Sequence, residues 1–168
     1  VNTEIFNHQY VNREAIVTST PIIGDTDIKP GDTVIVHHNV FRRWHNQYGE
    51  EKNSRSYFDE STYFIDYDQI FLYKQNNKWI TPDGYCFVKP IVSNNVLLNE
   101  KEIPLRGIIK YVDKNLKDIH KEDLVGFTPS SEYEFIIDGE RLYRVPTNSI
   151  SIKYERQGNE KEYNPSWT

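Results

Sequence analysis

The side chains best suited to chemistry in this chain of 168 residues are His37, His38 and His45, with Asp32 close by. Neutral imidazole is a common zinc ligand, so this group raises metal binding first. A strand points successive side chains to opposite faces, and His37 and His38 end a run of strand composition. The expectation is that the pair does not share an ion and that no metal is held. A second group, Asp59, Glu60, Asp66 and Asp68, holds the carboxylates that an acid and base pair would need. These sit in a charged stretch with no pocket signature, which reads as a solvated rim. The chain carries no G-x-S-x-G, no P-loop and no G-x-G-x-x-G, so acyl transfer, phosphoryl transfer and dinucleotide binding have no sequence support. No catalytic residue and no cofactor is assigned, and the protein is not expected to be an enzyme.

Binding is the stronger theme. Residues 39–60 hold Phe41, Trp44, Tyr48, Tyr57 and Phe58 among Arg42, Arg43, Lys52 and Arg55. Aromatics interleaved with cations can grip single-stranded nucleic acid or a protein. Glu50 and Glu51 interrupt the basic run and the net charge is −5, which favours protein contact and argues against nucleic acid. Cys86 is the one cysteine, so no intrachain disulfide exists and a reducing compartment is suited. No apolar run approaches the roughly 18 residues of a membrane helix, and residues 1–20 lack the profile of a signal peptide. A soluble cytoplasmic protein with no membrane association is expected. Val1 stands where an initiator Met would, which predicts that something upstream was removed or omitted.

The elements that must position these residues are strands. Twelve tyrosines, eight phenylalanines and many Val and Ile residues fall in short bursts broken by Gly, Pro, Asn and Asp. The bursts are 15–18, 33–38, 63–65, 70–73, 85–91, 107–112, 124–128, 133–137, 141–145 and 150–154. This predicts an all-β sandwich or barrel with at most single helical turns. Asp138-Gly139 reads as a hairpin tip, and Thr81-Pro82-Asp83-Gly84 as a turn that marks a boundary.

The two sides of that boundary resemble each other. Arg13-Glu14-Ala15-Ile16-Val17 parallels Arg106-Gly107-Ile108-Ile109-Lys110 at an offset of 93. The run Asp27 through Val34 parallels Asp118 through Val125 at 91, and Tyr63, Ile70 and Leu72 parallel Tyr143, Ile150 and Ile152 at 80. Order is kept while the offset falls, which predicts a duplication whose first copy carries about eleven extra residues in its middle loop. The organisation expected is a degenerate first repeat over 1–80 with the inserted loop 39–60, a complete second repeat over 81–156, and a polar tail over 157–168.

The second repeat resembles the GroES-like co-chaperonin family. The residues that carry the likeness are Phe87-Val88-Lys89-Pro90-Ile91, Arg106-Gly107-Ile108-Ile109, Asp123-Leu124-Val125-Gly126-Phe127 and Ile137-Asp138-Gly139-Glu140. The closing strand, Asn148 through Glu155, matches the family's last element. Glu122 departs from the pattern, standing where the family has Gly, and the first repeat lacks the Asp-Gly-Glu hairpin. The resemblance implies a GroES-like β-barrel in two tandem copies, assembled as a homo-oligomeric ring that caps a GroEL-type chaperonin and assists protein folding without catalysis. It also implies that a loop after the first strand docks through an apolar tripeptide. In this chain that is Val96-Leu97-Leu98, with Ile5 and Phe6 at the matching place in the first repeat. The rival expectation is a structural or assembly protein, for example of a virus particle in a host cytoplasm, that uses the barrel as a scaffold. Its contacts would be the aromatic insertion and the tail.

Overall fold

Short Val-, Ile- and Tyr-rich runs separated by turn residues leave the backbone few ways to satisfy its hydrogen bonds except cross-strand pairing. The computed structural model describes residues 12–93 and 102–163, and among them there are twelve strands and no α-helix. The all-β class is as expected. Contacts divide the chain into two units, Val1–Trp79 and Ile80–Thr168.

The sheet of the first unit has the order β1-β2-β5-β6, made of β1 (Asn12–Ile16), β2 (Thr33–His37), β5 (Ile70–Gln75) and β6 (Lys78–Ile80), whose last residue is the first of the second unit. Between β2 and β5, the hairpin β3 (Arg43–His45) and β4 (Glu51–Asn53) forms a separate two-stranded sheet. Strands β3, β4 and β6 are additions to the sequence-based expectation, whereas 63–65 reduces to a single bridge, Tyr57 to Tyr63. The β5–β6 turn holds Asn76 and Asn77 at φ of 48° and 63°. Asn tolerates that left-handed conformation, which an ordinary side chain avoids.

The second unit is one six-stranded sheet of order β10-β11-β7-β8-β9-β12. Its strands are β7 (Tyr85–Val92), β8 (Glu102–Tyr111), β9 (Leu124–Phe127), β10 (Tyr133–Ile137), β11 (Glu140–Pro146) and β12 (Ile150–Tyr154). The Asp138-Gly139 tip adopts the two positive φ values a tight hairpin needs, 51° and 78°. Both sheets are open among the described residues: β10 and β12 end the larger one without pairing to each other. The closed barrel expected from the sequence is therefore not formed by these strands.

The core of the second unit sits on β7, which is buried along nearly its whole length. Cys86 and Val88 pack with Ile109, Val125, Phe127 and Val145. Ile91 packs with Ile108 and Leu124. Phe87 meets the ring of Phe135 edge-on at 5.5 Å.

Three strands of each unit are built alike. In the first, Ile16 pairs with Thr33, Ala15 with Val34 and Glu14 with Ile35; in the second, Ile108 pairs with Leu124, Gly107 with Val125 and Arg106 with Gly126. The next pairing also matches, Ile35 with Leu72 beside Gly126 with Ile152, and each has a bulge at the following step. A 3-10 turn enters the last strand in both, Tyr67–Gln69 and Thr147–Ser149. The turns before β2 and β9 share four hydrogen bonds. Lys29 N–H donates to Asp32 Oδ2 and His120 N–H to Asp123 Oδ2, each at 2.8 Å. Asp32 N–H reaches Lys29 O at 3.1 Å and Asp123 N–H reaches His120 O at 3.2 Å. Val17 N–H bonds Asp32 O and Ile109 N–H bonds Asp123 O, both at 2.9 Å. Gly31 N–H bonds Val17 O at 2.7 Å and Glu122 N–H bonds Ile109 O at 2.9 Å. Gly31 and Glu122 both take positive φ, 94° and 73°, so Glu122 accepts the conformation for which glycine is the usual choice. These pairs set the offset between β1 and β8 at 92, one less than the sequence comparison, while 91 and 80 are reproduced.

Candidate functional site

The first unit carries an open cavity of 590 Å³ whose wall is largely apolar. Ile16 at the end of β1 and Val17 just after it line it together with Val34 of β2, Ile65 and Ile70. Phe58, Phe64 and Tyr67 also contribute, and all three are exposed. Phe58 and Phe64 pack edge-on at 5.2 Å, held by a tight turn in which Phe58 N–H bonds Thr62 O at 3.0 Å. Ile22 and Ile23 stand wholly exposed in the loop that follows β1. Apolar surface of this kind marks a contact site more often than a plain exterior.

The insertion presents a second surface. Asn46 organises the β3–β4 turn, accepting from the N–H groups of Tyr48 at 2.9 Å and Glu50 at 3.0 Å. Trp44 and Tyr48 are exposed on it, and the Arg42 guanidinium lies 5.6 Å from the Trp44 ring centre. The cations are matched by acids of the same hairpin, Arg43 with Glu51 at 3.7 Å and Lys52 with Glu50 at 3.1 Å. Hydrogen bonds from Lys52 and Asn46 hold the Glu50 carboxyl below its ordinary value.

Charge is buried in the second unit. Lys89 of β7 is only 5% exposed, and its ammonium lies 2.5 Å from Glu162 and 3.3 Å from Glu140, which also receives Lys110 at 3.2 Å. Burial alone would push the Lys89 amine down, but the bond from Glu162 and the charge of Glu140 outweigh it and raise the amine above its ordinary value. Glu162 belongs to the tail, which pairs with β7: Val92 N–H bonds Lys161 O and Tyr163 N–H bonds Pro90 O, both at 2.8 Å. The tail residues 161–163 thus cover β7 of their own unit. Beside this cluster, Arg141 lies 2.7 Å from Glu134 and 3.5 Å from Glu102, and the Tyr143 hydroxyl donates to Glu102 at 2.6 Å.

The residues singled out by their types are distributed as follows. His37 and His38 do not take opposite faces. His37 closes β2 and His38 opens a 3-10 turn, so the rings stack with centroids 4.5 Å apart. The alternation rule fails there because the strand ends between them. Burial, and then the neighbouring His38, lower the His37 pKa, and its Nδ1 accepts from Asn39 N–H at 3.1 Å. Among the described residues no three of His, Cys, Asp or Glu gather as a metal site requires. Asp59 accepts from the N–H of Ser61 at 2.9 Å, and this bond, then one from Thr62, lowers its pKa. Gln69 Oε1 accepts from the N–H of Asp66 at 2.9 Å. Val96, Leu97, Leu98, Ile5 and Phe6 lie outside the described residues. No helix among the described residues is long and apolar enough to cross a membrane.

No protein family, curated protein or solved structure matches this chain. The cavity in the first unit was not legible as a site from residue types alone. The signal for it lay in the internal likeness, because Val17, Val34 and Ile65 of its wall stand at the places of Ile109, Val125 and Val145, which are core in the second unit.

Proposed function

We propose that the chain is a duplicated GroES-like scaffold that works by binding rather than catalysis, with a GroEL-type chaperonin as its partner. The observation that carries this reading is the shared construction of β1-β2-β5 and β8-β9-β12, which have the same registers, bulge and entering turn. The family-like residues occupy positions with evident structural work. Lys89-Pro90 forms the buried charged step of β7, Gly107 lets β8 approach it, and Asp123 ties the turn into β9. The offset of 92 between β1 and β8 sets Ile5 and Phe6 at the same place in their repeat as Leu97 and Leu98. That supports a docking loop, Val96-Leu97-Leu98, duplicated with the rest. On this reading the protein is a homo-oligomeric ring in the cytoplasm, of a host cell if it is viral.

Size-exclusion chromatography with light scattering tests the proposal, run on the protein alone and with a GroEL-type chaperonin and ADP. Co-elution that requires nucleotide and is lost in Leu97→Asp is the expected result. A defined oligomer that ignores the chaperonin would overturn it. A second reading, a structural or assembly protein, is favoured by the exposed aromatics Trp44, Tyr48 and Phe58 of the insertion, and that same outcome would support it.

A further inference from the structure

We propose that residues 161–163 of the tail are a strap that locks the strand pair at the base of segment 94–101, and that strap and base open together while the rest of the sheet stays closed. Along β7 the pairing changes hands. β11 is its neighbour from Tyr85 to Val88. From Pro90 to Val92 the tail takes over, through a bridge from Ile91 to Glu162 and the bonds from Tyr163 N–H to Pro90 O and from Val92 N–H to Lys161 O, both at 2.8 Å. Val92 also lies opposite Glu102 of β8. Val92 and Glu102 flank segment 94–101, so the strap grips one of the two strands that form its base.

The grip is made of charge as well as backbone. Glu162 sets its carboxylate 2.5 Å from the ammonium of Lys89, which is 5% exposed. Losing Glu162 would leave that buried ammonium with Glu140, which Lys110 shares at 3.2 Å, so a desolvated charge favours the closed strap. The strap also reaches the other strand of the base. Tyr163 places its ring 5.6 Å from the Arg141 guanidinium. Arg141 lies 3.5 Å from Glu102 and donates at 2.7 Å to the Tyr143 hydroxyl, which itself donates to Glu102 at 2.6 Å. One arginine thus joins the strap to the residue that opens β8, and what loosens either loosens both.

The strap separates from the sheet because the turn before it is held from within. Glu160 accepts there from Gln157 N–H at 2.7 Å and Gly158 N–H at 3.0 Å. A short segment tied by two backbone bonds and an ion pair opens locally at lower cost than strands that bury a core. The segment whose base it locks carries Val96-Leu97-Leu98; on the docking reading above, and resting on it, the tail regulates that docking.

Amide hydrogen exchange on the full chain, followed by NMR without chaperonin, tests the strap. Val92 and Tyr163 N–H are expected to exchange through one shared opening, faster than the N–H of fully buried Ile109, which bonds Asp123 O. Glu162→Gln should speed both by about tenfold or more, a change of at least ~1.4 kcal/mol, and leave Ile109 within about twofold. Glu102→Gln, on the other strand of the base, should speed the same two by about threefold or more, with circular dichroism confirming that both variants fold. Val92 and Tyr163 exchanging no faster than Ile109, or rates unchanged in Glu162→Gln, would overturn the strap. Indifference to Glu102→Gln would overturn the joint opening. The exchange measurement stands whether or not the chain docks to a chaperonin, so the two proposals fail separately. A Glu162→Gln variant that opens as expected and docks as tightly as the native chain would overturn the regulation of docking.

Discussion

Asp113 is the group whose removal should cost the second unit most for its size. It is 2% exposed, and its Oδ2 accepts from Gly84 N–H and the Thr147 hydroxyl, each at 2.8 Å, while Oδ1 accepts from Asn115 N–H at 2.9 Å. One carboxylate thus ties the turn before β7 and the turn after β11 to the end of β8. Hydrogen bonds to a charged group contribute ~1.5–3 kcal/mol each, and a buried donor left without a partner is costly in itself. With two of the three bonds reaching across the fold, Asp113→Ala should cost about 3–5 kcal/mol. For a unit of this size ~1 kcal/mol moves Tm by ~4–8 °C, so a fall of about 12 °C or more is expected in thermal unfolding followed by circular dichroism. The acid limb gives a second reading. Burial raises the Asp113 pKa, but the Asn115, Thr147 and Gly84 donors together outweigh it, leaving the folded value below the ordinary 3.8. The stability it contributes is complete above the ordinary value and is lost as pH falls through the lower folded one, so the gap between the native chain and Asp113→Ala should narrow as the pH is taken below the ordinary carboxylate value. In a double-mutant cycle, Asp113→Ala with Thr147→Val should couple by about 1 kcal/mol or more. A Tm change under about 4 °C, or strict additivity in the cycle, would refute the account of Asp113 as a tie.

Removing residues 157–168 takes Glu162 from Lys89 and uncovers β7, so Tm should fall by about 5 °C or more; an unchanged melting curve would count against the tail as a structural cover. Burial, the largest influence on Cys86, raises its thiol pKa, so a disulfide reagent at neutral pH should leave the native protein unlabelled and react only after unfolding. Asn77→Gly should stabilise the β5–β6 hairpin by about 0.5 kcal/mol, since glycine takes positive φ without the side-chain cost; denaturant unfolding reads the sign. Ile28→Ala removes a residue that is 5% exposed at the floor of the cavity and should cost about 2–3 kcal/mol, which a chemical denaturation midpoint measures.

The sequence by itself determined the all-β class, the Asp138-Gly139 hairpin and the places of nine of the twelve strands. Each is a local or periodic property: turn residues dictate φ, and alternation dictates a half-buried strand. The offsets of 91 and 80 are legible because the motifs they join are turn and strand residues in unbroken order. The offset of 93 slipped by one because adjacent apolar residues, Ile16-Val17 and Ile108-Ile109, match in type at either register, and only the hydrogen bonds from Val17 and Ile109 fix it. Other features were decided by tertiary structure alone. The stacking of His37 on His38 depends on where β2 ends, which pairing with β5 and the turn after it settle. That Ile16 is bare while Ile108 is buried depends on which strand lies alongside. Two segments of matching chemistry read alike in sequence, and what distinguishes a buried core from an exposed apolar wall is whether a neighbouring strand removes their apolar surface from water.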